Sequence, residues 1–252
     1  MPAIFKPGGR GRDAMARSGG MLLQLLRSGL YRPRCRICGL DLVQAREMIL
    51  CRNCREKIVP AMEHRCRVCD AFVPDGVDAC GSCLLEAPPF DRHVSFAPYE
   101  GTLRQAIILY KYGEIEPLRH LLAQLCLETV RRRLPGPFDA VVPVPADRGR
   151  RRGFQPVAAV ARVLARRLRV PFRPGLLAKK KSTLPQVGLS QARRRVNLDG
   201  AFVPARGRRA SGLRILLVDD VSTSGTTIRT CAAVLKKSGA RVTALTLART
   251  RL

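Results

Sequence analysis

The stretch Ile215-Leu216-Leu217-Val218-Asp219-Asp220-Val221-Ser222-Thr223-Ser224-Gly225-Thr226-Thr227 joins an apolar run, two acids and a loop of hydroxyls and glycine without interruption. Four consecutive apolar residues read as a strand buried on both faces, the pattern of a parallel sheet covered by helices. Asp219 and Asp220 then stand at its carboxyl end, where open α/β sheets place their ligands. Adjacent carboxylates there accept hydrogen bonds from a vicinal diol or face a magnesium-bound substrate. Ser222, Thr223, Ser224 and Thr226 add hydroxyl and backbone N–H donors, and Gly225 keeps the loop free of side-chain bulk. In the helix expected next, Ile228, Cys231, Ala232 and Leu235 form one apolar stripe, ended by Lys236-Lys237-Ser238-Gly239. Its positive N-terminal end favours a phosphate, so one segment holds the parts needed for both ends of a ribose 5-phosphate. The plainer alternative is a strand, a Ser- or Thr-capped helix and two surface acids.

From Phe90 onward the chain alternates between strand and helix patterns. Short β runs fall at 94–97, 140–144, 215–219 and 242–247. Leu118, Leu121, Leu122, Leu125 and Val130 recur at helical spacing, as do Val157, Val160, Ala161, Leu164 and Leu168. Such alternation implies an α/β fold with a mostly parallel sheet and flanking helices. The run at 140–144 ends in Val142-Pro143-Val144-Pro145, with Arg148 and Arg150 to Arg152 just beyond. A rigid turn beside several guanidiniums suits a pyrophosphate; it reads equally as a strand end with a solvated basic run. Lys111, in Tyr110-Lys111-Tyr112-Gly113, is a second candidate anion contact or else a helix C-terminal cation before its glycine stop.

Eight of the ten cysteines form four CxxC pairs, Cys35/Cys38, Cys51/Cys54, Cys66/Cys69 and Cys80/Cys83, with 12, 11 and 10 residues between successive pairs. Each CxxC turn presents two thiolates to one ion, and two turns complete a tetrahedral site of the zinc-ribbon type. Two structural zinc ions are therefore expected. Spacing alone permits consecutive or interleaved pairs, and consecutive sets are the expectation. Disulfides lack a secretory signal to support them, a redox centre would not need four copies, and iron–sulfur ligation usually clusters cysteines more tightly. His64, close to Cys66, is expected to be structural, and Cys126 and Cys231 to be small core residues.

Lys and Arg total 46 against 19 Asp and Glu, a formal charge of +27 that points to polyanions. Only 5% of residues are aromatic and Trp is absent, so stacking platforms for single strands are scarce. No segment is apolar and long enough to span a bilayer, and a cytoplasmic location is expected. The expected organisation is a basic tail at 1–33, with a short helix near 21–28, a double zinc ribbon at 34–87 and an α/β domain at 88–252.

The apolar run followed by Asp-Asp-x-x-Thr-x-Gly-x-Thr resembles the signature with which type I phosphoribosyltransferases bind phosphoribosyl pyrophosphate, PRPP. Four CxxC pairs, Pro88-Pro89-Phe90-Asp91, Tyr110-Lys111-Tyr112-Gly113, Val142-Pro143-Val144-Pro145, Arg152-Gly153-Phe154, Gln186, Leu189-Ser190, Arg194, Asn197 and Gly200-Ala201-Phe202 extend that resemblance to the ComF family. Such proteins join a double zinc ribbon to a phosphoribosyltransferase-like domain and are linked to DNA uptake in competent bacteria. The resemblance implies that Asp219 and Asp220 bind the ribose hydroxyls and that Ser222, Thr223, Ser224, Gly225 and Thr226 cradle the 5-phosphate. Val142 to Pro145, Arg148, Arg152 and Lys111 would form the pyrophosphate side, with Mg2+ accompanying PRPP. Two departures stand out: Gln155-Pro156 follows Phe154 where the family has Asn-Gln, and Arg193 replaces a Glu. Transfer of phosphoribosyl to an amine is one implied function. A non-catalytic accessory role on single-stranded DNA or a DNA-uptake helicase is the other.

Overall fold

The computed structural model describes residues 33–42, 49–134, 136–146, 155–180, 200–205 and 210–251. The helix expected near 21–28, Arg148, Arg152 and the motif positions from Gln186 to Asn197 lie outside them. Two compact units divide between Arg55 and Glu56.

The smaller unit is built on a knuckle: Cys35 N–H donates to Leu40 O (2.8 Å) and Gly39 N–H to Cys35 O (2.9 Å). Gly39 has φ 75°, a left-handed conformation that glycine adopts without a Cβ clash. Its second CxxC turn runs into the short helix α1 (Arg52–Glu56). The larger unit opens on a repeat of the knuckle, with Cys66 N–H donating to Ala71 O and Asp70 N–H to Cys66 O, both at 2.8 Å. Here Asp70 takes the left-handed position, at φ 63°, which Asp tolerates better than most side chains. Helix α2 (Gly81–Leu85) carries the last cysteine.

There follow β1 (Arg92–Pro98), α3 (Gly101–Tyr112), α4 (Leu118–Arg133), β2 (Ala140–Pro143), α5 (Pro156–Leu168), β3 (Leu177–Lys179), β4 (Phe202–Pro204), β5 (Arg214–Ser222), α6 (Thr226–Lys237) and β6 (Arg241–Arg249). Four strands form a parallel sheet in the order β1-β6-β5-β2, and β3 pairs with β4 in an antiparallel pair. Ile215, Leu216 and Leu217 are fully buried, each worth about 1.5–3 kcal/mol of apolar burial. Alternation along β5 sends Ile215 and Leu217 into one core with Cys231 and Leu235 of α6, Leu177, Phe202, Cys66 and Cys69. Val218, pointing the other way, lines a cleft shared with Tyr110, Val157 and Val160. The register of β2 on β5 is pinned at its start, where Arg214 donates to both carboxylate oxygens of Asp139 (2.9 and 2.8 Å) beside the Ala140–Ile215 pair. Those bonds hold the Asp139 carboxyl well below the usual carboxylate range.

The sheet strands occur where the β runs are expected, but β5 extends beyond 215–219 to Ser222. The reason is β6, which runs to Arg249 and pairs Val221 with Ala248 and Ser222 with Arg249. Asp219 and Asp220 thus lie inside the last paired turns of the strand rather than past its end. Cys126 and Cys231 are both fully buried, as their helical stripes require.

Candidate functional site

Because β5 is pleated, its two acids are splayed. Asp219 takes the orientation of Leu217, toward Cys231 and Lys179, and Asp220 that of Val218, toward α3. Asp220 Oδ2 lies 2.7 Å from Lys111 Nζ in the last turn of α3. Burial alone would lower the Lys111 pKa, and the carboxylates of Asp220 and Asp219 outweigh it, so the ammonium is held more firmly than usual. Asp219 behaves in the opposite way: burial and the neighbouring Asp220 charge push its carboxyl up to about 7, against the pull of the Asp220 N–H, Lys111 and Lys179. Each acid also accepts from the following backbone N–H, Asp219 from Asp220 (2.9 Å) and Asp220 from Val221 (2.7 Å). Lys111 stands at the helix end as a C-terminal cation would, and the anion it meets is Asp220. Gly113 behind it is required by space, since a Cβ there would stand 2.7 Å from Leu109 O.

The structure brings the Pro-x-Pro turn to the same end of the sheet. Pro143 pairs with Val218, and Val144 N–H donates to Val218 O (2.8 Å), one residue before Asp219. The hydroxyl loop follows directly. Ser222 and Thr226 are buried, Ser224 and Thr226 hydroxyls lie 2.7 Å apart, and Gly225 stands at φ 76° as the residue capping α6. The Ser or Thr cap of the plainer alternative is thus not found: glycine takes that place, and its left-handed turn aims the chain into the helix. A shallow cleft beside the acids is lined by Tyr110, Pro156, Val157, Val160 and Leu247, with the Tyr110 hydroxyl donating to Pro156 O (2.9 Å).

Lys179, the first of three consecutive lysines, belongs to none of the sequence motifs. It is buried on β3, 5.6 Å from the centre of the Phe202 ring, and its charge reaches Asp219. Period-two alternation carried a signal, because Leu177 and Lys179 share one strand face and Leu177 is core.

The eight cysteines gather as two consecutive sets, Cys35/Cys38/Cys51/Cys54 and Cys66/Cys69/Cys80/Cys83, each with ligand atoms within 4.8 Å of one another. Four thiols at that spacing cannot all ionise unaided. Burial opposes Cys35 and Cys66, yet backbone N–H groups outweigh it and hold them at about 6 and about 7, while burial and neighbouring sulfurs push Cys54 and Cys83 upward. A divalent cation removes that conflict, so both donor sets fit a tetrahedral metal. His64 belongs to neither set and sits 4.0 Å from Asp75.

The second set is fastened to the sheet. Asp70, fully buried, accepts from Arg65 (2.6 Å), Ser95 N–H (2.6 Å) and both terminal nitrogens of Arg133. His93 N–H donates to Val68 O (2.9 Å), and buried Arg249 donates to Cys69 O (2.9 Å).

The phosphoribosyl transferase domain family matches residues 112–251. Competence protein F of Haemophilus influenzae is 31% identical over 202 residues, covering 75% of this chain and 85% of that protein. DNA utilization protein YhgH of Escherichia coli is 33% identical over 173 residues, covering 64% of this chain and 73% of that protein. Among solved structures, orotate phosphoribosyltransferase from Aeropyrum pernix is 24% identical, with 56% of this chain and 64% of that chain covered, at a TM-score of 0.36. The match across the sheet domain and the length shared with Competence protein F place the chain in the ComF family of phosphoribosyl transferase domain proteins.

Proposed function

We propose that the sheet end binds PRPP, with Asp219 and Asp220 accepting from the ribose hydroxyls and Ser222, Thr223, Ser224, Gly225 and Thr226 cradling the 5-phosphate. Val142 to Pro145, Lys111, Arg148 and Arg152 take the pyrophosphate side. Departure of pyrophosphate from the anomeric carbon leaves positive charge on the sugar beside two carboxylates and negative charge beside the cations; an amine acceptor forms the new C–N bond and its proton passes to the departing pyrophosphate. Magnesium, when bound, neutralises pyrophosphate charge, and the carboxylates of Asp219 and Asp220 fit its oxygen preference. Zinc is the proposed ion of both cysteine sets, in a ribbon module spanning 34–87 between the 1–33 tail and the 88–252 domain. The observation that carries the reading is the acid pair with Lys111 at 2.7 Å, directly ahead of the hydroxyl loop. Calorimetric titration of the protein with PRPP and magnesium tests it: saturable binding is expected, and its absence overturns the assignment.

The raised Asp219 carboxyl adds a pH dependence. An ionised carboxylate accepts from a diol where a neutral acid does so poorly, so PRPP affinity is expected to rise from pH 6 to 8, centred near 7. Folding stability runs the other way. A pKa raised on folding contributes stability that is fully present below the unfolded carboxyl range and is lost as pH rises through about 7. Asp219→Asn should flatten both profiles; an unchanged affinity profile in that variant would remove Asp219 from the site.

The charge of +27, together with relatives named for competence and DNA utilization, favours a second reading, in which a cytoplasmic accessory protein contacts single-stranded DNA or a DNA-uptake helicase. Filter binding to single-stranded DNA is then expected to weaken by about a thousandfold between 50 and 200 mM salt. A flat, weak response excludes direct DNA contact.

A further inference from the structure

We infer that Arg249 is a positioning residue that couples the second cysteine set to the phosphate loop, so that metal held by Cys66, Cys69, Cys80 and Cys83 and phosphate held at residues 222–226 each strengthen the other's binding. The inference rests on the phosphate-binding role proposed above. Arg249 ends β6 in register with Ser222 and is only 4% exposed. Its Nη1 donates to Cys69 O (2.9 Å) and to Ser222 Oγ (3.3 Å), and lies 3.5 Å from His93 Nδ1. His93 offers no counter-charge, being fully buried and kept neutral by that burial and by the Arg249 charge. None of these partners is a carboxylate, and among the described residues Arg249 Nε has no partner at all.

A buried guanidinium without an anion is costly. Four thiolates around a divalent cation carry two net negative charges, and Cys69, whose carbonyl Arg249 holds, is one of the four. Loaded metal therefore supplies the counter-charge that keeps Arg249 in place against Ser222. The far end of the loop is tied to the same set: Arg229, whose N–H donates to Gly225 O (2.9 Å), places Nη2 3.8 Å from Cys83 Sγ. Gly225 closes the span, since a Cβ there would stand 4.0 Å from Arg249 Nη1 and 3.8 Å from Ser222 Oγ. A loop anchored at both ends to one metal centre loses less freedom when it closes on phosphate, and such coupling is reciprocal.

The test follows release of zinc from the loaded full-length protein to a chromogenic chelator, with and without saturating ribose 5-phosphate. The relevant phase is the one that Cys80→Ser abolishes. In the unmodified protein ribose 5-phosphate is expected to slow that phase by on the order of tenfold. Arg249→Met should release that ion faster without ligand and lose the slowing. Arg249→Lys retains the charge but not the two-ended reach; it should hold metal nearly as well and still lose the slowing. Slowing that persists in Arg249→Lys at saturating ligand overturns the coupling. So does release unaffected by ribose 5-phosphate in an unmodified protein that calorimetry shows to bind it, a result that leaves the proposed site standing. Failure of the unmodified protein to bind ribose 5-phosphate overturns the proposed site and the coupling together.

Discussion

Asp219→Asn combined with Asp220→Asn is expected to weaken PRPP binding by at least a hundredfold while moving the thermal midpoint by only a few degrees. Each acid would accept a hydrogen bond from a ribose hydroxyl, and a bond to a charged acceptor contributes about 1.5–3 kcal/mol. Loss of two therefore costs about 3–6 kcal/mol, or two to four orders of magnitude in affinity. Stability changes less because the two substitutions oppose each other. Removing Asp219's charge relieves a carboxylate that burial and Asp220 already disfavour. Removing Asp220's charge takes the 2.7 Å ion pair from Lys111, but that side chain is 27% exposed and water compensates part of the loss. Calorimetry with PRPP and magnesium, beside a circular dichroism melt, reads both quantities. Unchanged affinity would show that the acids are structural.

Asp70→Asn is expected to destabilise the larger unit strongly, lowering its thermal midpoint by on the order of 10 °C. Asp70 pairs with both Arg65, itself nearly buried, and Arg133, and receives the Ser95 N–H from β1. Asparagine keeps the shape and tolerates the left-handed backbone, so the substitution removes charge alone and leaves two guanidiniums around a neutral amide. Breaking a buried pair by removing one partner costs about 3–5 kcal/mol. In a unit of this size each kcal/mol shifts the midpoint by roughly 2–4 °C. Asp78→Asn is the control, because its 3.6 Å pair with Arg67 is largely exposed on both sides, and a change within about 0.5 kcal/mol is expected. If the two variants melt alike, the buried network does not join the second knuckle to the sheet.

Much of this was legible locally. The apolar run before Asp219, the stripes of α4, α5 and α6, and the four CxxC pairs are patterns whose period or spacing encodes one kind of element. Burial of Ile215 to Leu217, and the distance over which two thiols can share an ion, follow from that spacing. The extent of β5 was not legible, because Val221 and Ser222 are held in the strand by Ala248 and Arg249 across the sheet. Asp70 carries no periodic signal of its own burial, and the alternation that marks Lys179 spans only the three residues of β3.

By itself the sequence determined the α/β class, the identity of the acid-and-hydroxyl segment and the eight thiol ligands, because local chemistry dictates each. Only the tertiary structure decided that the thiols group as consecutive sets, that the acids splay to opposite faces with Lys111 on one, and that the second set is bound into the sheet through Asp70 and Arg249. Those outcomes depend on which distant backbone comes within hydrogen-bond reach. Buried charges then settle where an opposite charge or a carbonyl is available, a choice made by packing across the whole unit rather than by any stretch of chain.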